Sequence, residues 1–104
     1  MRILFLVLCV LAPLAYAQQG PVRYGYRVVN TYPHDITAFT QGLFYHEGFL
    51  FEGTGKRGLS KLSKLNLEDA SELLTKSLSQ RYFGEGIEVV DDKIYQLTWQ
   101  SHMV

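Results

Sequence analysis

Phe39-Thr40-Gln41-Gly42 and Phe83-Gly84-Glu85-Gly86 say nearly the same thing twice in a chain of 104 residues. The two tetrads stand 44 residues apart, and the overlay extends well beyond them. Leu43 falls on Ile87 and Tyr45 on Val89. Leu50 falls on Ile94, Phe51 on Tyr95 and Thr54 on Thr98. The turn His46-Glu47-Gly48 lies over Val90-Asp91-Asp92. Each copy therefore predicts a hairpin: two short apolar and aromatic runs around a turn. A repeat of roughly 40–50 residues built from short antiparallel strands is the period of a β-propeller blade. The expected fold class is all-β, a β-propeller of which this chain supplies roughly the first two blades.

Other segments carry strand character as well. Tyr24-Gly25-Tyr26-Arg27-Val28-Val29 predicts a first strand, broken by Thr31-Tyr32-Pro33-His34-Asp35 because Pro33 cannot donate to a ladder. Leu59 to Leu67 reads LSKLSKLNL. Its leucines at every third position would suit a helix. The hairpin-like spacing on both sides favours a strand. Glu72 to Leu78 reads as a strand or a short helix. Nothing predicts a long amphipathic helix or a low-complexity linker.

The first 17 residues have another character. Met1-Arg2 is a short positive start, Ile3 to Leu14 is almost unbroken hydrocarbon, and Ala15-Tyr16-Ala17 fits a small-x-small cleavage site. The apolar run is shorter than the roughly 20 residues a membrane span needs. A cleavable signal peptide over residues 1–17 is expected, with a domain over 18–104 and a secreted or periplasmic location. Cleavage after Ala17 removes Cys9, so the exported domain must hold together without disulfides. No membrane association is expected once the signal is gone.

Charge adds little. Ten basic residues balance ten acidic ones, so no basic patch calls for nucleic acid. His34, His46 and His102 are not spaced like metal ligands, and no cofactor or metal is expected. In a propeller, the tetrads would start the innermost strands and face the central channel. Gln41 and Glu85 are then expected side by side at one mouth. Two blades cannot close a ring that typically has about 4–8. The chain is therefore expected to be the N-terminal part of a longer protein or a truncated relative. The edges of such an open ring favour self-association.

Several motifs together resemble a known family. They are Tyr32-Pro33-His34-Asp35, Ala38-Phe39-Thr40-Gln41-Gly42-Leu43, Leu50-Phe51-Glu52-Gly53-Thr54-Gly55, Tyr82-Phe83-Gly84-Glu85-Gly86 and Tyr95-Gln96-Leu97-Thr98-Trp99. They resemble the plant and bacterial type of glutaminyl-peptide cyclotransferase, the glutamine cyclotransferase family. The resemblance implies a five-bladed β-propeller. It also implies an acyltransferase-class enzyme converting N-terminal glutamine of peptides and proteins to pyroglutamate, with release of ammonia. It makes Glu85 the proton-transferring catalytic residue. Phe39, Gln41, Phe83 and Trp99 become the substrate-binding residues. Further channel residues of the family come from later blades and have no counterpart here.

Elementary chemistry suits these roles. Cyclisation is intramolecular, so proximity is already built into the substrate. The α-amine must lose a proton and the leaving nitrogen must gain one; one carboxylate can serve both. Glu85 beside Phe83 and Trp99 would be partly desolvated. Gln41 does not titrate but can hold the substrate by hydrogen bonds. Trp99 could offer its indole N–H to the amide oxygen, and Phe39 and Phe83 would wall a small apolar pocket. The alternative reading is a non-catalytic propeller fragment that binds a peptide or partner through the same funnel.

Overall fold

The structure is a computed structural model that describes residues 20–104. The expected signal peptide at 1–17 lies outside the described residues. Six antiparallel strands follow in chain order: β1 Thr40–His46, β2 Phe49–Thr54, β3 Lys61–Asn66, β4 Glu72–Ser77, β5 Gly84–Val90 and β6 Lys93–Thr98. The first four form one meandering sheet in the order β1-β2-β3-β4; β5 and β6 form a second sheet. The described residues are thus all-β, as expected.

Both predicted hairpins are present, and their turns explain their registers. Glu47 and Gly48 have φ of 48° and 88°, and Asp91 and Asp92 have 47° and 60°. Two successive positive φ values make the two-residue turn whose twist matches the flanking strands. Phe44 then faces Phe51 across β1 and β2, their rings stacked 5.0 Å apart. The leucine-rich stretch is a strand, β3, and the segment from Glu72 is also a strand, β4. Pairing on both sides of β3 overrides its three-residue leucine spacing.

The predicted strand at Tyr24–Val29 is not formed, and every residue from Gly20 to Thr37 is exposed. Tyr and Val have strand propensity, but a strand is a ladder, and no neighbouring backbone pairs with this one. Asp35 builds the first turn of the described residues. Its carboxylate accepts the Thr37 amide at 2.8 Å and the Thr37 hydroxyl at 2.7 Å. Asp69 does the same for Ser71, at 2.9 and 2.6 Å. In each case the hydroxyl and then the amide donor hold the carboxyl below its ordinary range.

The 44-residue repeat is visible in the hydrogen bonding. Thr40 pairs with Thr54 and Gly84 with Thr98, at equivalent positions. Immediately outside each pair, Gly55 N–H donates to Phe39 C=O and Trp99 N–H to Phe83 C=O, both at 2.9 Å. The ladder then slips by one residue in both copies, between Thr40 and Gly42 and between Gly84 and Ile87. Such bulges bend a strand and re-aim the side chains within it. Gln41 lies in the first bulge and Glu85 in the second.

The two sheets meet where β1 and β2 pack on β5. Gly42 makes the approach possible: a Cβ there would lie 2.5 Å from the Ile87 backbone nitrogen and 3.1 Å from the Gly86 carbonyl carbon. The interior behind this contact is mainly polar. Leu65 is the buried apolar side chain, whereas Glu52, Thr54, Ser60 and Ser63 are also buried. Each of these four has hydrogen-bonding partners, as burial requires. Glu52 Oε1 accepts from His34 Nε2 at 2.9 Å and from Thr40 Oγ1 at 2.5 Å. Lys61 N–H donates to Thr54 Oγ1 at 3.1 Å. Ser63 Oγ lies 3.2 Å from Thr75 Oγ1. On the exposed rim, Lys61 pairs with Glu72.

Three outcomes are expected. Gly42→Ala should lower stability by about 1–3 kcal/mol in denaturant unfolding, because its new methyl meets backbone that cannot swing away. Glu52→Ala should cost about 2 kcal/mol, since two hydrogen bonds to a carboxylate are lost while half-exposed His34 can still be solvated. Acid should loosen the two Asp turns locally. Their contribution is complete above the unfolded-state carboxylate pKa of about 4 and disappears as pH falls through the lower folded-state value. Amide exchange at Thr37 and Ser71 should then rise while the ladders stay protected.

Candidate functional site

The three aromatic residues predicted from the sequence touch one another where the two bulges begin. Phe39 precedes the first bulge and Phe83 the second; their rings meet edge to face with centroids 6.1 Å apart. Trp99, one residue beyond β6, meets Phe83 at 5.6 Å and 68°. The three rings therefore form one run, Phe39–Phe83–Trp99. It is open to solvent: Phe39 is 46% and Trp99 49% exposed, while Phe83 is half-buried between them. Gln41 and Glu85 are both half-buried.

Gly55 shows why only one repeat copy carries a tryptophan. Gly55 and Trp99 are equivalent in the overlay and in their hydrogen bonds. A Cβ on Gly55 would overlap the Phe83 ring, 2.7 Å from Cζ, and would lie 3.0 Å from Gln41 Cγ. The space a side chain would take in copy one is filled by Phe83 from copy two. Gly55 thus lets Phe83 and Gln41 close in over its Cα.

The expected apolar pocket between Phe39 and Phe83 takes a different form. A cavity of about 190 Å³ lies beside Phe39, but Phe83 does not line it. Asp35, Lys56 and Lys61 give it charged walls. Lys56 Nζ also lies 5.1 Å from the centre of the Phe39 ring, a cation–π contact. Phe39 and Phe83 instead meet each other edge to face. Two larger cavities, about 330 Å³ each, lie elsewhere, against Leu62, Lys76 and Ile94, and none of the five predicted residues lines them. The five residues are therefore linked by residue type and bulge geometry rather than by a large cavity.

Among the described residues, no three His, Cys, Asp or Glu side chains are grouped to hold a metal ion. The two bulges carry a neutral amide and a carboxylate, and the aromatic run carries an indole N–H and three ring surfaces. That set can bind a small polar head, shield one side of it and move a proton.

Sequence reasoning missed two features here. His34 and Asp35, adjacent in the chain, part ways: Asp35 builds a turn with Thr37, and His34 reaches across to Glu52. Glu52 and Gln96 are also overlay partners, and they reverse the Gln41–Glu85 pair: acid in copy one, amide in copy two. Extending the overlay by a few residues shows this swap. Glu52 holds Thr40, next to Gln41. Gln96 Nε2 is buried at the seam with no hydrogen-bond partner among the described residues.

A model of the family described as "Glutamine cyclotransferase" matches residues 2–104. A glutaminyl-peptide cyclotransferase of Arabidopsis thaliana is 38% identical over 76 residues, covering 72% of this chain and 24% of that protein. The crystal structure of Myxococcus xanthus glutaminyl cyclase matches with a TM-score of 0.58 at 39% identity, covering 70% of this chain and 30% of that one. The chain thus spans 24% and 30% of the length of these two relatives. With its hairpin repeat, its paired bulges and a match along almost its whole length, the chain belongs to the glutamine cyclotransferase family.

Proposed function

We propose that this chain carries the first part of a glutaminyl-peptide cyclotransferase site, acting on peptides and proteins with N-terminal glutamine. The supporting observation is the placement of Gln41 and Glu85 in equivalent bulges along the Phe39–Phe83–Trp99 run. In this reading the two sheets are the first two blades of a β-propeller, with β1 and β5 innermost. The packing of β5 on β1 supports that order. The product would form outside the cytoplasm, the leader being removed after Ala17.

The reaction follows from the residue types. The α-amine nitrogen of the substrate attacks the carbon of its own side-chain amide, and a C–N bond closes the five-membered lactam. The Glu85 carboxylate takes a proton from the attacking amine and returns one to the leaving nitrogen. The original C–N bond breaks, and ammonia departs with no change in oxidation state. Gln41 holds the substrate head by its amide. Trp99 donates its indole N–H to the amide oxygen as negative charge gathers there. The aromatic run shields the folded glutamine side chain from water on one side.

Trp99 is the only tryptophan in the sequence, so its fluorescence reports on the seam directly. A Gln-initiated peptide should change Trp99 emission. Glu85→Gln should keep that response and lower ammonia release by about 10²–10⁴-fold, the usual worth of a positioned acid–base group. Gln41→Ala should weaken the response itself. Equal release by wild type and Glu85→Gln removes Glu85 from proton transfer. A silent Trp99 together with no release rejects these residues as a site.

A further inference from the structure

Ser60 does no chemistry, yet it holds an unusual place. It is 3% exposed, in the loop between β2 and β3. Its hydroxyl donates to Lys56 C=O at 2.7 Å and accepts the Gly84 N–H at 2.9 Å. Its own carbonyl accepts the Leu78 N–H at 2.9 Å. The β2–β3 loop, the exit of β4 and the first residue of β5 therefore converge on one small residue, the first and last of them through its hydroxyl.

The Gly84 N–H belongs to the peptide unit that joins Phe83 to Gly84. The other polar group of that unit, Phe83 C=O, accepts the Trp99 N–H at 2.9 Å. One peptide plane is thus held from both ends, by Ser60 on one side and by the residue after β6 on the other. A rigid plane has few ways to turn. The next residue along is Glu85, inside the bulge. Gly84 also has no free volume: a Cβ there would lie 2.6 Å from Thr54 O and 2.8 Å from Gln96 Nε2. The first repeat copy solves the same problem differently, with Glu52 holding the Thr40 side chain.

We infer that Ser60 is a positioning residue for Glu85: its buried hydroxyl fixes the Phe83–Gly84 peptide and so sets where the Glu85 carboxylate leaves the bulge. The inference rests on the reading of Glu85 proposed above. Without the hydroxyl, the buried Gly84 N–H loses its acceptor, and rotation of the peptide toward another partner becomes favourable.

Amide exchange and NMR spectra of the full chain test this. Ser60→Ala should speed exchange at Gly84 about tenfold or more. It should also shift the Glu85 amide and Trp99 indole signals while leaving the β3–β4 amides protected. Ser60→Thr, which keeps an oxygen acceptor, should restore protection at Gly84. Ser60→Cys, nearly isosteric with a weaker acceptor, should fall between them and stands in if the alanine chain does not fold. Ser63→Ala is the control, because that hydroxyl is equally buried but faces Thr75; it should leave Gly84 and Glu85 unmoved. In turnover of a Gln-initiated peptide, Ser60→Ala should lower kcat and leave KM unchanged. An unchanged Gly84, or protection lost equally from all six strands, overturns the assignment. Ammonia release judges the Glu85 reading separately: a wild-type chain that releases none counts against that reading, while the Gly84 and Glu85 signals still decide Ser60.

Discussion

The contact between Gly42 on β1 and the Gly86–Ile87 backbone on β5 is the constraint from which the rest follows. Two sheets can approach this closely only where a side chain is missing. The approach brings one bulge against the other, and each bulge carries one of the two polar residues of the seam. If the sheets stood a methyl group further apart, Phe39 and Phe83 would lose their edge contact. The space above Gly55 would then no longer be filled by Phe83. Close backbone packing and the aromatic run are one feature seen from two sides.

Burial at this seam is largely polar, and that has energetic consequences. Apolar burial is non-directional and tolerates small shifts. A buried carboxylate or hydroxyl does not, because a misplaced partner leaves an unpaired group in low dielectric. Glu52, Thr54 and Ser60 therefore specify geometry more than they add stability. Their hydrogen bonds reach Thr40, Lys61 and Gly84, the first residues of β1, β3 and β5, and Gln41 and Glu85 directly follow the first and the last of these. The apolar faces contribute differently. Tyr45, Leu74 and Leu97 remain more than half exposed on the strands. Order at the seam comes from hydrogen bonds and close backbone contact rather than from a large apolar core.

The readable parts of the fold were local. Glu47-Gly48 and Asp91-Asp92 signal tight turns by residue type, and the runs beside them signal strands by β-branched and aromatic content. The leucine-rich β3 was legible only through its neighbours, since its own spacing suits a helix as well. Tyr24–Val29 shows the limit of the method: its composition suits a strand, but pairing is not a local property. The candidate site divides in the same way. Phe39, Gln41, Phe83, Glu85 and Trp99 were found from repeated motifs and family resemblance. The residues that hold them, Glu52 and Ser60, carry no motif of their own.

By itself the sequence determined the two hairpins, their 44-residue repeat and the family, because turn chemistry, strand content and motif spacing are written in adjacent residues. Only the tertiary structure decided that His34 would meet Glu52, that Gly55 would make room for Phe83, and that Ser60 would clasp Gly84. Those contacts join residues 18 to 28 positions apart in the chain. Their partners are chosen by the bulges and by the distance between sheets, and neither exists until the strands have paired.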